Sequence, residues 1–596
     1  MTSGDDGIFR NGISRRRFVR DGAALAAGAT LSAPAAALAG SGAADTVFRN
    51  GRVLTVAGNR VAEAVAVSGD RITYVGSNAG AQASVGSGTE VIDLRGRTLM
   101  PGIHDGHTHP LAGGLTLTKP TLNYRKLDLK QFLKALRTLL ARSAEQEPDG
   151  WFYVDLWEPS GMDRQPTKKD LDGLPTRRPV VVVDLSGHTA VANSRALELA
   201  GIAASTRDPQ GGKIKRGRRG EPTGILLDNA IGLVTGKIPP LTTAQNAAAL
   251  EVAHREMARQ GITSYLDASV GRTELAALAA LADRGPLGVR PSVAIMVSPG
   301  AASEPDSMLA RLEALRATYG RAGVTIRTVK MFFDGVIEHP TQTAALLEPY
   351  RVNKGSKRNP RWVSGKSRGP TYFRQRVANR AIAALDAAGW QVHVHAIGDR
   401  AVRSALDAFE NARKRGGGAG NRHTITHLEL IHPKDFRRFR RLGVLASMQL
   451  HWAERDSYTV DSLKPYIGAR RWRYVYPAGS LARAGATVCG GSDWPVDPLL
   501  PFRQIEIGVN RTADEVYEGY PRPLWAREGL SRRASLAMHT RNSAFQLHQE
   551  KLTGQIRPGF LADLIVLDRG VLRAPLKRVS KTKVQLTMVG GRIVHR

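Results

Sequence analysis

Short apolar runs alternate with amphipathic stretches from about residue 248 onward. Stretches with helical spacing, such as 275–282, 373–388 and 401–413, separate several of these runs. With the run that ends at His107 there are eight strand candidates, the other seven being residues 262–267, 289–296, 324–333, 392–396, 424–428, 444–450 and 486–490. Repeated β/α units of this kind predict a closed (β/α)8 barrel, an α/β fold whose active site lies at the C-terminal ends of the strands.

Both ends of the chain have a different pattern, in which short alternating segments are broken by turn dipeptides such as Asn-Gly. These segments lie at 46–48, 52–56, 64–67, 71–75, 562–567, 584–589 and 590–594. Neither end is large enough to bury a core alone. We therefore expect residues 44–99 and 550–596 to form one small β-sandwich beside a barrel of residues 100–549.

A mixed pattern between about residues 123 and 247 predicts an α+β insertion within the barrel. Residues 129–146 have the spacing of a helix, and residues 179–184 read as a buried strand. The basic, glycine-rich stretch 211–220 is typical of a flexible loop. Barrel enzymes carry lids and specificity elements at this position, near the first β/α loop.

Residues 1–39 predict an export signal. The sequence SRRRFVR at 14–20 resembles the twin-arginine motif, an alanine-rich run follows, and residues 37–39 fit a cleavage site. A basic amphipathic N-terminal helix is the alternative. We expect the twin-arginine translocation machinery to export the folded protein to the periplasm, the cell wall or the extracellular medium.

The chain is strongly basic, with 85 Lys and Arg against 53 Asp and Glu and a formal charge of +32. These basic residues are scattered, and no zinc finger, RNA-binding motif or basic helix accompanies them. The sequence therefore predicts a small-molecule substrate and no nucleic-acid partner, and it leaves a homo-oligomer open. The one cysteine, Cys489, lies in an apolar run and reads as a buried side chain, which excludes an internal disulfide framework.

Several predicted strands end in residues that can bind a metal. His107 and His109 are two residues apart, and alternate side chains of a strand point to the same side. Later strand ends add Lys330, His395, His427 and Asp493. An uncompensated buried ammonium is costly, so Lys330 in an apolar strand needs an explanation. His393 points the same way as His395, and one of the two could be a core histidine.

Residues beside the predicted strand ends are candidates for the substrate pocket. His188 lies in the insertion, in the sequence SGHTA, and could reach the site from there. The other candidates follow barrel strands and are Asp267, Asp334, Gln449, His451, Trp494 and Asp497. Of these we expect Asp334, His451 and Trp494, together with His188, to contact the substrate. Ordinary loop structure is the alternative explanation for each of them.

From about Ala44 to the C-terminus the sequence resembles the metal-dependent amidohydrolase superfamily. Within it, the sequence is similar to the branch of YtcJ-like proteins and N-substituted formamide deformylases. The resemblance rests on PGIHD at 101–105, NSRAL at 193–197, the run 329–335, HAIGDRA at 395–401, SDWPV at 492–496 and the run 554–563. One departure is Thr426, because members often carry Glu before the sixth-strand histidine.

The resemblance implies two divalent metal ions, usually zinc. His107, His109 and Asp493 would hold one ion, His395 and His427 the other, and Lys330, carboxylated on its amine, would bridge them. Two close cations lower the pKa of a bridging water, so that hydroxide is available near neutral pH. Asp493 would take the proton and pass it to the leaving atom. Manganese, cobalt or iron are also compatible with these ligands.

The predicted function is an exported binuclear-metal hydrolase that uses this hydroxide on a C–N bond of a non-peptide amide, N-acyl or formamide type. The same site could serve an ester, a lactone or a phosphotriester, since a fold does not decide a function. A third hypothesis is a non-catalytic, basic binding protein of the cell envelope.

Overall fold

The computed structural model describes residues 42–58, 61–144, 150–209, 212–356, 358–512 and 520–596. The predicted export signal, residues 1–39, lies outside the described residues. None of the helices in the described part of the chain combines the length and the apolar character needed to span a bilayer.

Eight parallel strands form one sheet, and each pairs with the next along the chain. We number these barrel strands 1 to 8: Ile103–Thr108, Ile262–Val270, Arg290–Met296, Thr325–Phe332, Gln391–Ala396, Thr424–His427, Leu445–Met448 and Val488–Gly490. The ring is completed where the loop after strand 8 meets strand 1, because the Asp493 N–H donates to the His107 carbonyl at 2.8 Å. The predicted (β/α)8 barrel is therefore confirmed.

Helices surround the barrel sheet. Asp399–Lys414 shows why they form there, since Val402, Leu406 and Phe409 recur at helical spacing and are buried against the strands. The others are Pro110–Thr118, Thr243–Arg259, Arg272–Ala282, Pro299–Ser303, Pro305–Tyr319, Gln375–Ala387, Phe436–Leu442, Lys464–Trp472, Ala478–Arg483, Pro501–Asn510, Arg532–Met538 and Arg541–Gln546.

The two ends of the chain share two further sheets. The four-stranded sheet has the order Arg71–Gly76, Ala64–Ser68, Thr46–Arg49 and Glu90–Asp93. The six-stranded sheet has the order Arg592–His595, Val584–Val589, Leu564–Leu567, Thr98–Pro101, Arg52–Leu54 and Val61–Ala62. One apolar cluster contains side chains from both sheets and both ends, among them Phe48, Leu99, Leu564 and Met588. A short helix, Asn78–Ala81, follows the strand Arg71–Gly76.

The prediction of one strand leading into His107 is wrong, because the run consists of two strands and passes from one sheet to another at Gly102. Thr98–Pro101 pairs antiparallel with Leu564–Leu567, whereas Ile103–Thr108 pairs with barrel strand 2. A Cβ atom on Gly102 would lie 2.2 Å from the Thr263 side chain, so only glycine fits at this change of sheet. The apolar run is continuous in sequence because both strands are buried.

The insertion is built on a five-stranded sheet. Its strand order is Gly212–Arg216, Pro222–Asp228, Thr189–Ala192, Val180–Asp184 and Phe152–Trp157. Its helices are Leu129–Ala144, Lys168–Asp172, Ser194–Leu199 and Gly232–Thr235. The prediction of a flexible loop at 211–220 is wrong, since Gly212–Arg216 is a strand that pairs with Pro222–Asp228 and buries Ile214. A separate hairpin joins Arg351–Asn353 and Trp362–Ser364.

An ion pair ties the six-stranded sheet to the barrel. Arg290, in barrel strand 3, donates to the buried Asp563 carboxylate at 3.1 Å. The same carboxylate accepts from the Gly590 N–H at 2.8 Å and from the Thr553 hydroxyl at 3.1 Å. These three partners lie on different segments of the chain, so the Asp563 side chain joins the three segments.

We expect Asp563→Ala to destabilise the protein by about 3 kcal/mol, because it leaves the Arg290 cation without its buried partner. The measurement is the midpoint of thermal unfolding. Asp283→Ala is the matched control, since it removes an exposed pair with Arg321 and should shift the midpoint far less. Equal midpoints for the two variants would contradict this role of Asp563.

Candidate metal centre

Three potential ligands meet where barrel strands 1 and 8 end. His107 Nε2 and His109 Nε2 each lie 3.1 Å from Asp493 Oδ1. One potential ligand atom from each of the three side chains lies within 4.8 Å of the other two. His107 is completely buried, while the His109 side chain is 26% exposed and borders the open end of the barrel.

Asp105 holds this corner of the barrel together. Its carboxylate accepts from the Ser492 N–H at 2.9 Å and from the His107 N–H at 3.2 Å. Burial raises the pKa of Asp105 to about 6, although these hydrogen bonds lower it. Asp105 thereby fixes the loop that carries Asp493 against the strand that carries His107.

A second pair of histidines continues the cluster. The His395 and His427 rings are 4.4 Å apart, and the His107 and His427 rings are 4.8 Å apart. His427 Nδ1 lies 3.0 Å from Gln449 Oε1, and His395 Nε2 lies 3.2 Å from the Gly335 carbonyl. Because an amide or carbonyl oxygen accepts, these two nitrogens carry the protons, and the other nitrogen of each ring is available to a metal.

Polar partners also orient His107. His107 Nδ1 lies 2.8 Å from His393 Nε2 and 3.1 Å from Thr426 Oγ1. Thr426 in turn accepts from Gln449 Nε2 at 3.3 Å. His393 therefore contacts a candidate ligand, and His395, the other histidine of strand 5, lies beside His427. Thr426 supports His107 directly and reaches His427 through Gln449.

Lys330 is buried in barrel strand 4 at 1% exposure. Its Nζ lies 4.6 Å from the centre of the Phe332 ring, and within the described residues no carboxylate is close enough for an ion pair. Burial lowers the pKa of the Lys330 amine to about 7, against a smaller effect of Asp493. A substantial fraction of the amine is therefore uncharged near neutral pH.

The surroundings favour the neutral forms of His107, His395 and His427 and the ionised form of Asp493. Burial, followed by the Lys330 charge, lowers the pKa of His107 to about 3. Burial also holds the pKa of His395 and His427 well below the usual value. Burial alone would raise the pKa of Asp493, but His107, His109 and His427 together hold it well below its ordinary range. Neutral imidazoles and an ionised carboxylate are the forms that bind a metal.

The donor set fits a divalent metal. His107 Nε2 and Asp493 Oδ1 are buried, and among the described residues neither makes a hydrogen bond of acceptable geometry, although they face each other. Two imidazoles and a carboxylate are ligands that zinc favours. His393 and Thr426 hold the other ring nitrogen of His107, as partners of metal ligands usually do, and Asp105 fixes the backbone beside it.

Of the four predicted substrate contacts, His188 lies in the insertion with its side chain 28% exposed. Its Nδ1 is 2.7 Å from Asp228 Oδ1. His451 follows barrel strand 7 and is 7% exposed, with Nε2 3.9 Å from Asp497 Oδ1. Asp497 also accepts a hydrogen bond from Trp452 Nε1, and the Trp452 ring stacks on His427 with centroids 5.6 Å apart.

The structure gives Asp334 and Trp494 different surroundings from those predicted. The Asp334 carboxylate is fully buried and accepts from the N–H groups of Ala345, Ile397 and Gly398 at 2.8–3.0 Å. The Trp494 ring lies in an apolar cluster, so close to Gly113 that a Cβ there would be 2.3 Å away. Trp494 contributes to the site through its carbonyl, which accepts from the His109 N–H at 2.8 Å.

Sequence reasoning missed Asp105 and Asp228 as site residues. Asp105 alternates with His107 and His109 along strand 1, so its spacing was a usable signal. Asp228 has no such signal, because it is 40 residues from His188 and only the pairing of strands brings the two together.

Comparisons with known proteins agree with this site. The family model described as "Amidohydrolase family" matches residues 90–595, and the chain belongs to this family. A crystal structure of an uncharacterized metal-dependent hydrolase from Pyrococcus furiosus is similar, with a TM-score of 0.67 at 25% identity over 89% of this chain and 100% of its own.

Curated relatives cover most of the chain. Protein LONG AFTER FAR-RED 3 of Arabidopsis thaliana is 29% identical over 93% of this chain and 92% of its own. The putative amidohydrolase YtcJ of Bacillus subtilis is 27% identical over 89% and 96%, respectively. The N-substituted formamide deformylase of Arthrobacter pascens is 25% identical over 92% and 97%. The predicted resemblance is thus confirmed.

We expect Gln449→Leu to weaken metal retention by about 10–100-fold, because it removes the acceptor that orients His427. Metal per chain, measured after dialysis against a buffered chelator, tests this. Gln449→Glu keeps an acceptor oxygen and is the control that should retain more metal. Retention by Gln449→Leu equal to that of the natural protein would exclude an orienting role.

Proposed function

We propose that this protein is a binuclear-metal hydrolase that cleaves a C–N bond of an N-acyl or formamide type. The proposal is carried by one observation, the meeting of His107, His109 and Asp493 within 4.8 Å of one another, beside a buried Lys330. Membership of the amidohydrolase family supports hydrolysis, and the relative named as a formamide deformylase supports the bond type.

His107, His109 and Asp493 would hold one divalent ion, and His395 and His427 the other. When bound, two such ions would activate a water for attack near neutral pH and polarise the substrate carbonyl. Zinc suits the ligands, and the number and identity of the ions are part of the proposal.

Lys330 would bridge the two ions as a carbamate. Its neutral amine attacks carbon dioxide, an N–C bond forms and one proton is released. The burial that lowers the pKa of this amine to about 7 favours the reaction. The product is an anion with two ligand oxygens, which also removes the cost of a buried ammonium.

Asp493 would act as the proton carrier. Its carboxylate faces His107 and His109 at 3.1 Å at the end of strand 8, which supports this role. It takes the proton from the attacking water and gives it to the leaving nitrogen as the C–N bond breaks. The surrounding histidines keep the pKa of Asp493 low, so it starts each cycle ionised.

Export remains part of the proposal. It is supported by the twin-arginine sequence at 14–20 and by the small residues at 37–39. A protein that acquires its metals before translocation would suit a route that carries folded chains.

We expect the metal-loaded full chain to hydrolyse N-formyl and N-acyl amines, and a chelator to abolish this activity. Asp493→Asn should keep its metal and lose about 100-fold or more of the turnover, because the proton carrier is gone. The measurements are metal per chain and kcat on matched amides and aryl esters.

Hydrolysis of the aryl esters without the amides would favour the ester hypothesis. Less than one metal per chain after metal-replete expression would favour a non-catalytic protein. Normal turnover by Asp493→Asn would refute its proton-transfer role.

For Lys330→Ala we expect metal content and activity to fall, because the bridging ligand is lost. Short carboxylic acids such as acetate should restore part of the activity by supplying two oxygens in its place. Lys577→Ala, at an exposed site in the C-terminal part of the chain, is the control. Full metal content in Lys330→Ala, or an unmodified Lys330 in a metal-loaded crystal structure, would contradict the carbamate.

A further inference from the structure

The insertion holds one histidine, in the loop between its strands Val180–Asp184 and Thr189–Ala192. His188 Nδ1 lies 2.7 Å from Asp228 Oδ1, and the side chains are 28% and 12% exposed. An ionised carboxylate only accepts hydrogen bonds, so Nδ1 carries the proton of this contact. His188 Nε2 is then the nitrogen that remains for another partner.

The backbone around His188 is fixed as firmly as its ring. The Asp184 carboxylate accepts from the His188 and Thr189 N–H groups at 3.1 and 3.0 Å. Its other oxygen accepts from the Ser186 hydroxyl at 2.8 Å. The Asp228 N–H donates to the His188 carbonyl at 3.0 Å. A side chain held in this way loses little conformational entropy when it binds a ligand.

The end of the insertion sheet at which His188 lies meets the loop that carries Asp493. There the Tyr124 N–H donates to the Leu156 carbonyl at 3.2 Å, and the Tyr124 hydroxyl donates to the Pro495 carbonyl at 2.7 Å. The charge of His188 contributes to the low pKa of His395, the candidate ligand of barrel strand 5. Burial alone would lower the pKa of His188, but Asp228, Asp184 and Glu338 together raise it. In the protonated form of this ring both nitrogens are donors, so Nε2 can donate while Asp228 holds the Nδ1 proton.

We propose that His188 binds the substrate through Nε2, as a donor to a second carbonyl or carboxylate oxygen, and that Asp228 is the residue that positions it. The scissile carbonyl would lie at the metal centre. The oxygen bound by His188 is therefore a different one. This inference rests on the proposed function and narrows it to N-acyl compounds that carry a further carbonyl group a few bonds from the C–N bond.

A purely structural role would also explain the pair, because it links two strands of the insertion. Two substitutions separate these roles. His188→Asn places an amide nitrogen where Nδ1 lies, so it keeps the contact with Asp228 and removes the Nε2 donor. His188→Gln places an amide near Nε2 and gives up the contact with Asp228. A structural role predicts that the Asn variant resembles the natural protein, whereas substrate binding predicts that the Gln variant does.

The experiment measures binding by calorimetry in the metal-loaded Asp493→Asn protein, so that the ligands are not consumed. The probes are N-formylglycinamide, N-formylglycine and N-formylisobutylamine, which carry a carbonyl, a carboxylate or no acceptor at the same position. We expect the first or second probe to bind at least about 10-fold more tightly than the third, since a buried hydrogen bond to a charged donor is worth this much.

His188→Asn should abolish that preference, His188→Gln should keep part of it, and Asp228→Asn should reduce it. Asp172→Asn is the control, because Asp172 lies in the same insertion and accepts hydrogen bonds from Ser194 at the start of the helix Ser194–Leu199. No binding, equal affinities for the three probes, or a preference that survives in His188→Asn would overturn the inference. Acceptor-dependent binding without turnover by the natural protein would instead reject the proposed function.

Discussion

The contact between barrel strand 1 and the loop after strand 8 determines the rest of the site. The chain must travel 386 residues from His107 before Asp493 returns to it, and the two meet only if the barrel ring closes in the correct register. Backbone hydrogen bonding between Asp493 and His107 and the Asp105 carboxylate fix that register. At Gly491 a Cβ would lie 2.7 Å from the His107 backbone, so a glycine is needed at this approach.

Ring closure also explains how buried polar side chains can be retained at the centre. Three of the candidate ligands, His107, His395 and His427, each have one ring nitrogen held by the scaffold, which leaves the other ring nitrogen for a metal. For His427 the scaffold partner is Gln449, and for His395 it is the Gly335 carbonyl. The energetic cost of burying these groups is therefore reduced on one side only, which leaves the other side suited to a cation. Lys330 lacks such a scaffold partner among the described residues.

Much of the barrel could be predicted from the sequence, because parallel strands buried on both faces appear as apolar runs. The strand-end positions of His107, Lys330 and Asp493 followed from those runs. What the sequence could not provide was information that depends on pairing. The break at Gly102 separates two sheets within one apolar run, and the strand Gly212–Arg216 is stabilised by its neighbour rather than by its own composition. The same limit concealed Asp228, whose role depends on the strand beside it.

The six-stranded sheet contains strands from both ends of the chain, and this has a consequence for synthesis of the protein. Thr98–Pro101 is translated early, yet its neighbour Leu564–Leu567 leaves the ribosome only near the end of translation. Until then, the hydrogen-bonding edge of the early strand has no neighbour on that side and is a site for aggregation. This sheet therefore cannot be completed until translation is nearly finished. A nascent chain that stalls before residue 564 would depend on chaperones.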